Sequence, residues 1–165
     1  MEKSISIPGG LARIEQATWH DLNSLRHIEK VCFPKDGWPL WDLISVLTLP
    51  NIVRLKAVVD HQQSGITGLH PTEMVGFIAG DQRPGEPIAW IATVAVLPDY
   101  QRRGIGESLI LTCQERLSAP RVRLSVRMSN QGAIRLYERL GYQRVGTWPS
   151  YYTDQEDALV MEKLL

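Results

Sequence analysis

The segment that most constrains the fold is a strand-like run that turns directly into an amphipathic helix. Residues 88–96 are apolar and rich in strand-forming side chains, and a turn at residues 98–99 follows them. Beyond the turn, apolar side chains recur at every fourth position, which predicts a helix over residues 104–118: Ile105, Leu109, Cys113 and Leu117. A strand joined so closely to a helix indicates a layer of helices packed on a sheet.

The turn between this strand and helix has the composition of an anion-binding loop. Residues 101–106 read Gln-Arg-Arg-Gly-Ile-Gly. Two glycines let backbone N–H groups crowd around an anion, and the start of a helix adds a partial positive charge. Arg102 and Arg103 add full charges, so the loop is predicted to hold a pyrophosphate; a basic loop that only caps the helix is the alternative. It is not a P-loop, and Leu109 replaces the small residue that ends a dinucleotide fingerprint.

Hydrophobic periodicity along the rest of the chain predicts a single α/β (α+β) domain that spans residues 1–165. Strands are expected at residues 11–16, 53–59, 74–79, 88–96, 122–126, 142–148 and 158–163. Helices are expected from an N-cap at Thr18 to Cys32, then at residues 40–49, 104–118 and 131–140, the last capped by Asn130. A polar loop is predicted at residues 61–72.

Charge and cysteine content limit the classes of partner. The formal net charge is zero, so we expect neither nucleic acid nor a membrane as a partner. Residues 101–144 nevertheless carry nine Lys/Arg and three Asp/Glu, which suits an anionic cofactor on that half and a cationic amine on the other. Cys32 and Cys113 are too few for a disulfide framework, and the four histidines lack metal-ligand spacing. A cytoplasmic enzyme without a metal, as a monomer or homodimer, is the simplest interpretation.

Four blocks of the chain resemble, in the same order, the GNAT family of N-acetyltransferases. Residues 93–106 resemble a family strand and loop followed by the motif Gln/Arg-x-x-Gly-x-Gly/Ala, and residues 126–142 resemble the second family signature. Residues 28–34 and 151–161 are similar to segments of the ribosomal-protein alanine N-terminal acetyltransferases and their archaeal relatives. The resemblance implies the GNAT fold: a mixed, mostly antiparallel sheet of about seven strands, about four flanking helices, and splayed central strands that hold the cofactor.

The resemblance also implies that acetyl-CoA is the cosubstrate and how the chain holds it. The loop after the central strand holds the pyrophosphate, and main-chain groups of that strand pair with pantetheine and direct an N–H at the acetyl oxygen. The implied cofactor-binding residues are Val94, Ala95, Val96, Gln101, Arg102, Arg103, Gly104, Ile105, Gly106, Glu107 and Asn130.

By the same resemblance, Tyr137 is the general acid that protonates the leaving thiolate. The alanine N-acetyltransferases usually carry a glutamate at the position of Ser125, and serine is not an equivalent base, so Ser125 is expected to hold a water that relays the proton. In place of Ser125, the resemblance to archaeal relatives also offers Glu29, Asp36 and Asp42, near the expected mouth, as candidate carboxylates for the base. The implied acceptor-binding residues are Phe33, Trp38, Tyr151 and Tyr152, and the acids Asp154, Glu156 and Asp157 are expected to favour a positive N-terminus.

A weak base favours an acceptor amine that loses its proton easily. The pKa of a free α-amine is about 7.8, whereas that of a lysine side chain is about 10.4. The sequence therefore predicts acetylation of a protein N-terminus. Two alternatives stay open: a small-amine acetyltransferase acting on a polyamine or an aminoglycoside, and a module that senses acyl-CoA without catalysis.

Overall fold

The computed structural model describes residues 3–7, 10–60 and 72–165, and within them eight strands form one sheet. The strands are β1 (Lys3–Ile7), β2 (Gly10–Gln16), β3 (Ile52–Asp60), β4 (Thr72–Asp81), β5 (Ile88–Val96), β6 (Arg121–Arg127), β7 (Gln143–Trp148) and β8 (Ala158–Leu164). Their order in the sheet is β1-β2-β3-β4-β5-β6-β8-β7, with β5 and β6 parallel and the other neighbours antiparallel. The mixed, mostly antiparallel sheet is as expected, with one strand more than about seven.

Four helices accompany the sheet in the described part of the chain: α1 (Leu22–Cys32), α2 (Leu40–Thr48), α3 (Ile105–Gln114) and α4 (Gln131–Arg139). A short 3-10 turn separates Thr18 from α1, and the Asp21 carboxylate accepts the Thr18 N–H at 2.8 Å. Helix α3 ends at Gln114, short of the predicted 118, because the chain tightens there into i→i+3 turns: the Arg116 N–H bonds the Cys113 carbonyl and the Leu117 N–H bonds the Gln114 carbonyl. The predicted loop at 61–72 lies outside the described residues except for Thr72.

Helix α3 lies against β3, β4 and β5, and the contact with β4 depends on a residue without a side chain. A Cβ at Gly80 would lie 2.8 Å from the Cys113 Sγ and 3.2 Å from Leu117. Both Cys113 and Leu109, one helical turn apart, are fully buried. Helix and sheet can therefore approach closely at the last turn of α3, where Cys113 packs beside Gly80 of β4.

The central strands separate halfway along their length. Strands β5 and β6 pair only from Ile88 to Ile91. There the register with β4 shifts, because Gly80 pairs with Ile91 and Ala79 pairs with Thr93, which leaves Ala92 as an extra residue. From that bulge β5 continues with β4 and β6 continues with β8. The facing backbone edges of β5 and β6 are thus open to a ligand, and the splayed central strands expected for this fold are present.

Candidate active site

A cavity of about 680 Å³ occupies the place where β5 and β6 separate. Its walls come from α1, the segment 33–38, β5, β6, α4 and the segment 151–153. Eight of the residues implied to be catalytic, cofactor-binding or acceptor-binding line it: Val94, Ser125, Asn130, Tyr137, Phe33, Trp38, Tyr151 and Tyr152. The cavity therefore unites residues from opposite ends of the chain at the split in the sheet.

The loop that precedes α3 has the backbone of an anion cradle. Arg102 (φ 57°) and Gly104 (φ 81°) both have left-handed backbone conformations, and a Cβ at Gly104 would meet nothing within 4 Å. The first backbone bond of α3 runs from Ser108 N to the Gly104 carbonyl at 3.0 Å. The N–H groups of residues 105–107 precede that bond and remain available to an anion at the helix start.

Side chains around this loop have different tasks. Ile105 is 1% exposed and anchors the loop in the core, so only its backbone can serve an anion. Gln101 Nε2 donates to the Val96 carbonyl at 2.9 Å, which ties the loop to the end of β5. Arg102 and Glu107 are exposed, and the Arg103 guanidinium lies 5.4 Å from the centre of the Tyr100 ring.

The loop reaches the split in the sheet through the start of α3. A Cβ at Gly106 would lie 3.7 Å from Val96 on β5 and 4.0 Å from Leu136 on α4. Residues 101–107 do not line the cavity themselves, and neither do Ala95 and Val96, whereas Val94 does. The predicted cofactor residues thus follow one path, from the loop along β5 into the cavity.

Two residues line the cavity from the N-cap and the second turn of α4. Asn130 Oδ1 accepts the Ala133 N–H at 3.1 Å, so this residue is the N-cap of the helix, and it also lines the cavity. Tyr137 is 6% exposed, and its ring meets Tyr142 edge-on at 5.7 Å. Burial raises the pKa of Tyr137 above its usual value, so the hydroxyl keeps its proton at neutral pH. Tyr137 can therefore serve as a proton donor.

Aromatic side chains form the rim of the cavity. Phe33 and Trp38 come from the segment after α1, and Tyr151 and Tyr152 come from the segment before β8. The Tyr151 and Tyr152 rings meet edge-on at 5.1 Å, and Tyr151 also contacts Trp148 at 5.2 Å. Burial raises the pKa of Tyr152 to about 12, so it too is neutral near pH 7. Such a rim offers apolar contacts and hydroxyl groups to an acceptor.

Arg127 holds the two sides of this rim together. Its guanidinium binds Asp36 from the segment after α1, and it binds Asp154 at 3.0 Å and Glu156 at 2.5 Å from the segment before β8. The same group lies 4.0 Å from the centre of the Tyr152 ring, which is cation–π distance. The hydrogen bond from Arg127 lowers the pKa of Asp36, so the ion pair is complete at neutral pH. The sequence analysis gave Arg127 no role; the signal that could have found it is its position two residues after Ser125, on the same face of β6.

The acids expected to attract a positive N-terminus are mainly engaged within the protein. Asp154 and Glu156 bind Arg127, and Asp157 Oδ1 accepts the Ser150 N–H at 2.8 Å. These three carboxylates therefore stabilise the conformation of the segment that carries Tyr151 and Tyr152.

The three carboxylates considered near the mouth have separate positions. Asp42 is exposed on α2 and does not line the cavity, and Asp36 lines it but is bound to Arg127 and to the Thr153 hydroxyl at 2.9 Å. Glu29 lines the cavity and is 3% exposed. Its position on α1, four residues after Leu25 and next to Ile28 on the apolar face, is the sequence signal for this burial.

The part of the chain that the structure describes has neither a membrane-spanning helix nor a metal cluster. Over residues 3–7, 10–60 and 72–165, no helix has the length and apolar character that crossing a membrane requires. Over the same ranges, no cluster of three or more His, Cys, Asp or Glu side chains could hold a metal ion. Cys32 and Cys113 are free thiols.

Comparison with known proteins gives consistent matches. The model of the Acetyltransferase (GNAT) family matches residues 22–142. An N-alpha-acetyltransferase of Sulfurisphaera tokodaii is 30% identical over 166 residues, which cover 98% of each chain. The crystal structure of the ribosomal-protein-S18-alanine N-acetyltransferase from Escherichia coli superposes with a TM-score of 0.75 at 28% identity, covering 93% of each chain. Arabidopsis thaliana NAA60 in complex with acetyl-CoA shares the fold, with a TM-score of 0.79 at 22% identity and coverage of 93% and 98%.

Proposed function

Since the chain belongs to the Acetyltransferase (GNAT) family, we propose that it transfers the acetyl group of acetyl-CoA to the N-terminal α-amine of a protein. The observation that carries the proposal is the cavity at the split between β5 and β6, which lies between the protonated Tyr137 and an aromatic rim. The relatives named N-alpha-acetyltransferase and ribosomal-protein-S18-alanine N-acetyltransferase support the choice of acceptor.

The residues around the split fit a long anionic cosubstrate. The N–H groups at the start of α3 and the charges of Arg102 and Arg103 suit the pyrophosphate. The open edge of β5 next to Val94 suits the amide groups of pantetheine, because an unpaired strand edge presents N–H and C=O groups in alternation. When bound, acetyl-CoA supplies a thioester that an amine can attack.

Tyr137 and the open edge of β5 act on different atoms of the thioester. A backbone N–H on the open edge of β5 stabilises the negative charge that develops on the acetyl oxygen. The Tyr137 hydroxyl gives its proton to the departing thiolate sulfur, and its burial maintains the proton until that moment. Ser125 lies on β6 beyond the last residue pair with β5, lines the same cavity, and can hold a water there.

The proton balance of the acceptor favours an N-terminus over a lysine side chain. At neutral pH roughly one α-amine in seven is uncharged, compared with about one lysine in 2,500. The difference in pKa of about 2.6 corresponds to roughly 3.5 kcal/mol that a base has to supply for lysine. Position 125 carries a serine, so no strong base is present on β6 at this place, and the α-amine is the more accessible acceptor.

A mixed panel of acceptors tests the proposal. Peptides that begin with Ala, Ser or Met, lysine peptides with a blocked N-terminus, and polyamines and aminoglycosides are incubated with acetyl-CoA and analysed by mass spectrometry. We expect acetylation of the peptides with a free N-terminus. Acetylation of the small amines alone would replace the proposal by the small-amine function, and tight binding of acetyl-CoA without any transfer would indicate a sensing module.

A further inference from the structure

Glu29 is a carboxylate without a complete set of partners inside the cavity. It lies on α1, is 3% exposed, and lines the cavity together with Thr93 and Tyr137. Oε2 accepts the Trp38 N–H at 3.3 Å, and the Thr93 hydroxyl also interacts with the carboxylate. Oε1 is buried and has no hydrogen-bond partner.

Such a group is costly to fold and therefore calls for a functional explanation. A buried polar atom without a partner loses its solvation by water and gains no hydrogen bond in return, and the loss is larger if the atom is charged. An apolar residue or a glutamine at position 29 would remove the charge. The unpartnered oxygen has the chemistry of a site that accepts a proton or binds an ammonium.

The other carboxylates around the cavity are not available for this task. Asp36 is bound to Arg127 and Thr153, whereas Asp154 and Glu156 are bound to Arg127. Asp42 lies outside the cavity. Glu29 is thus the carboxylate in the described part of the cavity wall that has an oxygen free of hydrogen bonds.

We propose that the Glu29 carboxylate accepts the proton that the acceptor ammonium must lose before it attacks the thioester. This inference rests on the proposed function and adds the base that position 125 lacks. Oε1 takes one proton from the ammonium, and the freed nitrogen lone pair forms the bond to the acetyl carbon. The carbon–sulfur bond breaks and Tyr137 protonates the sulfur. The resulting tyrosinate takes the second proton from the nitrogen as the amide forms, and Glu29 returns its proton to solvent.

The electrostatics of the cavity suit this role. Burial raises the pKa of Glu29 above its usual value, which makes the carboxylate a stronger base than an exposed one. Burial also raises the pKa of Cys32 to about 11 and that of Tyr152 to about 12, so both are neutral near pH 7. The titratable side chains that line the same cavity are Cys32, Lys35, Asp36, Arg127, Tyr137, Tyr151 and Tyr152.

The test compares Glu29→Gln with the wild type on two peptides that differ only in the basicity of the N-terminal amine. One begins with alanine, and the other with trifluoroalanine, whose electron-withdrawing group leaves the amine uncharged at neutral pH. We expect Glu29→Gln to lower kcat on the alanine peptide by about 10²-fold, the usual range for a lost general base. On the trifluoroalanine peptide it should keep most of the wild-type rate. Its kcat on the alanine peptide should rise with pH until the amine itself deprotonates.

Two controls separate this role from a structural one. Glu138→Gln removes an exposed carboxylate from α4 and should leave both rates unchanged. Calorimetric titration with acetyl-CoA should give the same affinity for Glu29→Gln as for the wild type. An equal loss on both peptides, or no loss on either, would overturn the role of Glu29. Failure of the wild type to acetylate either N-terminus would overturn the proposed function, and the role of Glu29 with it.

Discussion

At position 29 a carboxylate occupies a place on α1 that the helix pattern otherwise gives to apolar side chains. Leu25 and Ile28 on the same face are fully buried, and Glu29 is 3% exposed among them. Neither of its oxygens forms an ion pair with a described residue, in contrast to Asp36 and Asp21. Burial of the Glu29 carboxylate costs solvation free energy, and the proposed transfer of a proton to this carboxylate explains why a charged residue occupies the position.

The same burial predicts how Glu29→Gln changes stability with pH. The folded-state pKa of Glu29 lies above its usual 4.5, so the folded protein binds the proton more tightly than the unfolded chain. The wild type therefore loses stability as the pH rises from about 4.5 to the folded-state pKa, and glutamine removes this loss. Urea denaturation should show similar stability for both proteins near about pH 4 and a more stable variant near about pH 8. If the variant is less stable than the wild type near the higher pH, the Glu29 carboxylate has stabilising partners, which contradicts the unpartnered oxygen.

Two neighbouring tyrosines allow the chemical role of Tyr137 to be separated from packing. Tyr137→Phe keeps the ring and removes the hydroxyl, so kcat should fall by about 10²-fold while acetyl-CoA affinity stays the same. Tyr142 OH accepts Gln114 Nε2 at 2.7 Å in the core, so Tyr142→Phe should lower the free energy of unfolding by about 1–3 kcal/mol. Steady-state kinetics and denaturation on both variants measure the two effects. Full activity of Tyr137→Phe would exclude it as the general acid.

At the scale of elements, the site depends on how β5 passes into α3. The bulge at Ala92 ends the pairing with β6, and the left-handed backbone at Gly104 then turns the chain into the helix. In the first turn of α3, a Cβ at Gly106 would lie only 3.7 Å from Val96, which places the helix start next to the open strand edge. The loop that we propose for the pyrophosphate and the strand edge that we propose for pantetheine are thus parts of one continuous unit.

A pair of glycine variants tests the cradle. Gly104 and Gly85 have nearly the same positive φ, 81° and 83°, and a Cβ at either would meet nothing within 4 Å. Alanine at either position should lower the free energy of unfolding by about 1–2 kcal/mol, because it is strained in this conformation. Only Gly104→Ala should also weaken acetyl-CoA binding, by about tenfold or 1.4 kcal/mol, since its methyl group would enter the cradle. Equal affinities of the two variants, measured by calorimetry, would place the pyrophosphate elsewhere.

At the scale of the whole molecule, the sequence predicts what local patterns determine. Periodicity places β5 at residues 88–96 as observed, and it places the other predicted strands within a few residues of their observed bounds. Strand β1 is missed because it has only five residues, and its short alternation of polar and apolar side chains does not predict a strand without the pairing to β2. The resemblance to a family selects residues from Phe33 to Tyr152 that line the cavity, but it does not predict the contacts between them.

The remaining features of the site depend on contacts between distant parts of the chain. Arg127 and Asp36 are separated by 91 residues, and Thr153 and Asp36 by 117. The partners of the buried Glu29 carboxylate are the Trp38 N–H, nine residues later in the chain, and the Thr93 hydroxyl on β5. No local sequence pattern predicts these contacts between distant residues. The ion pairs of Arg127 and the unpartnered oxygen of Glu29 can therefore be identified only in the folded protein.

The most direct test of the central claim is a competition within one molecule. A peptide with a free N-terminal alanine and one internal lysine is incubated with the protein and acetyl-CoA, and tandem mass spectrometry locates the acetyl group. We predict modification of the α-amine, with the lysine side chain unmodified. Acetylation of the lysine, or an unchanged peptide under conditions in which a polyamine is acetylated, would contradict the account.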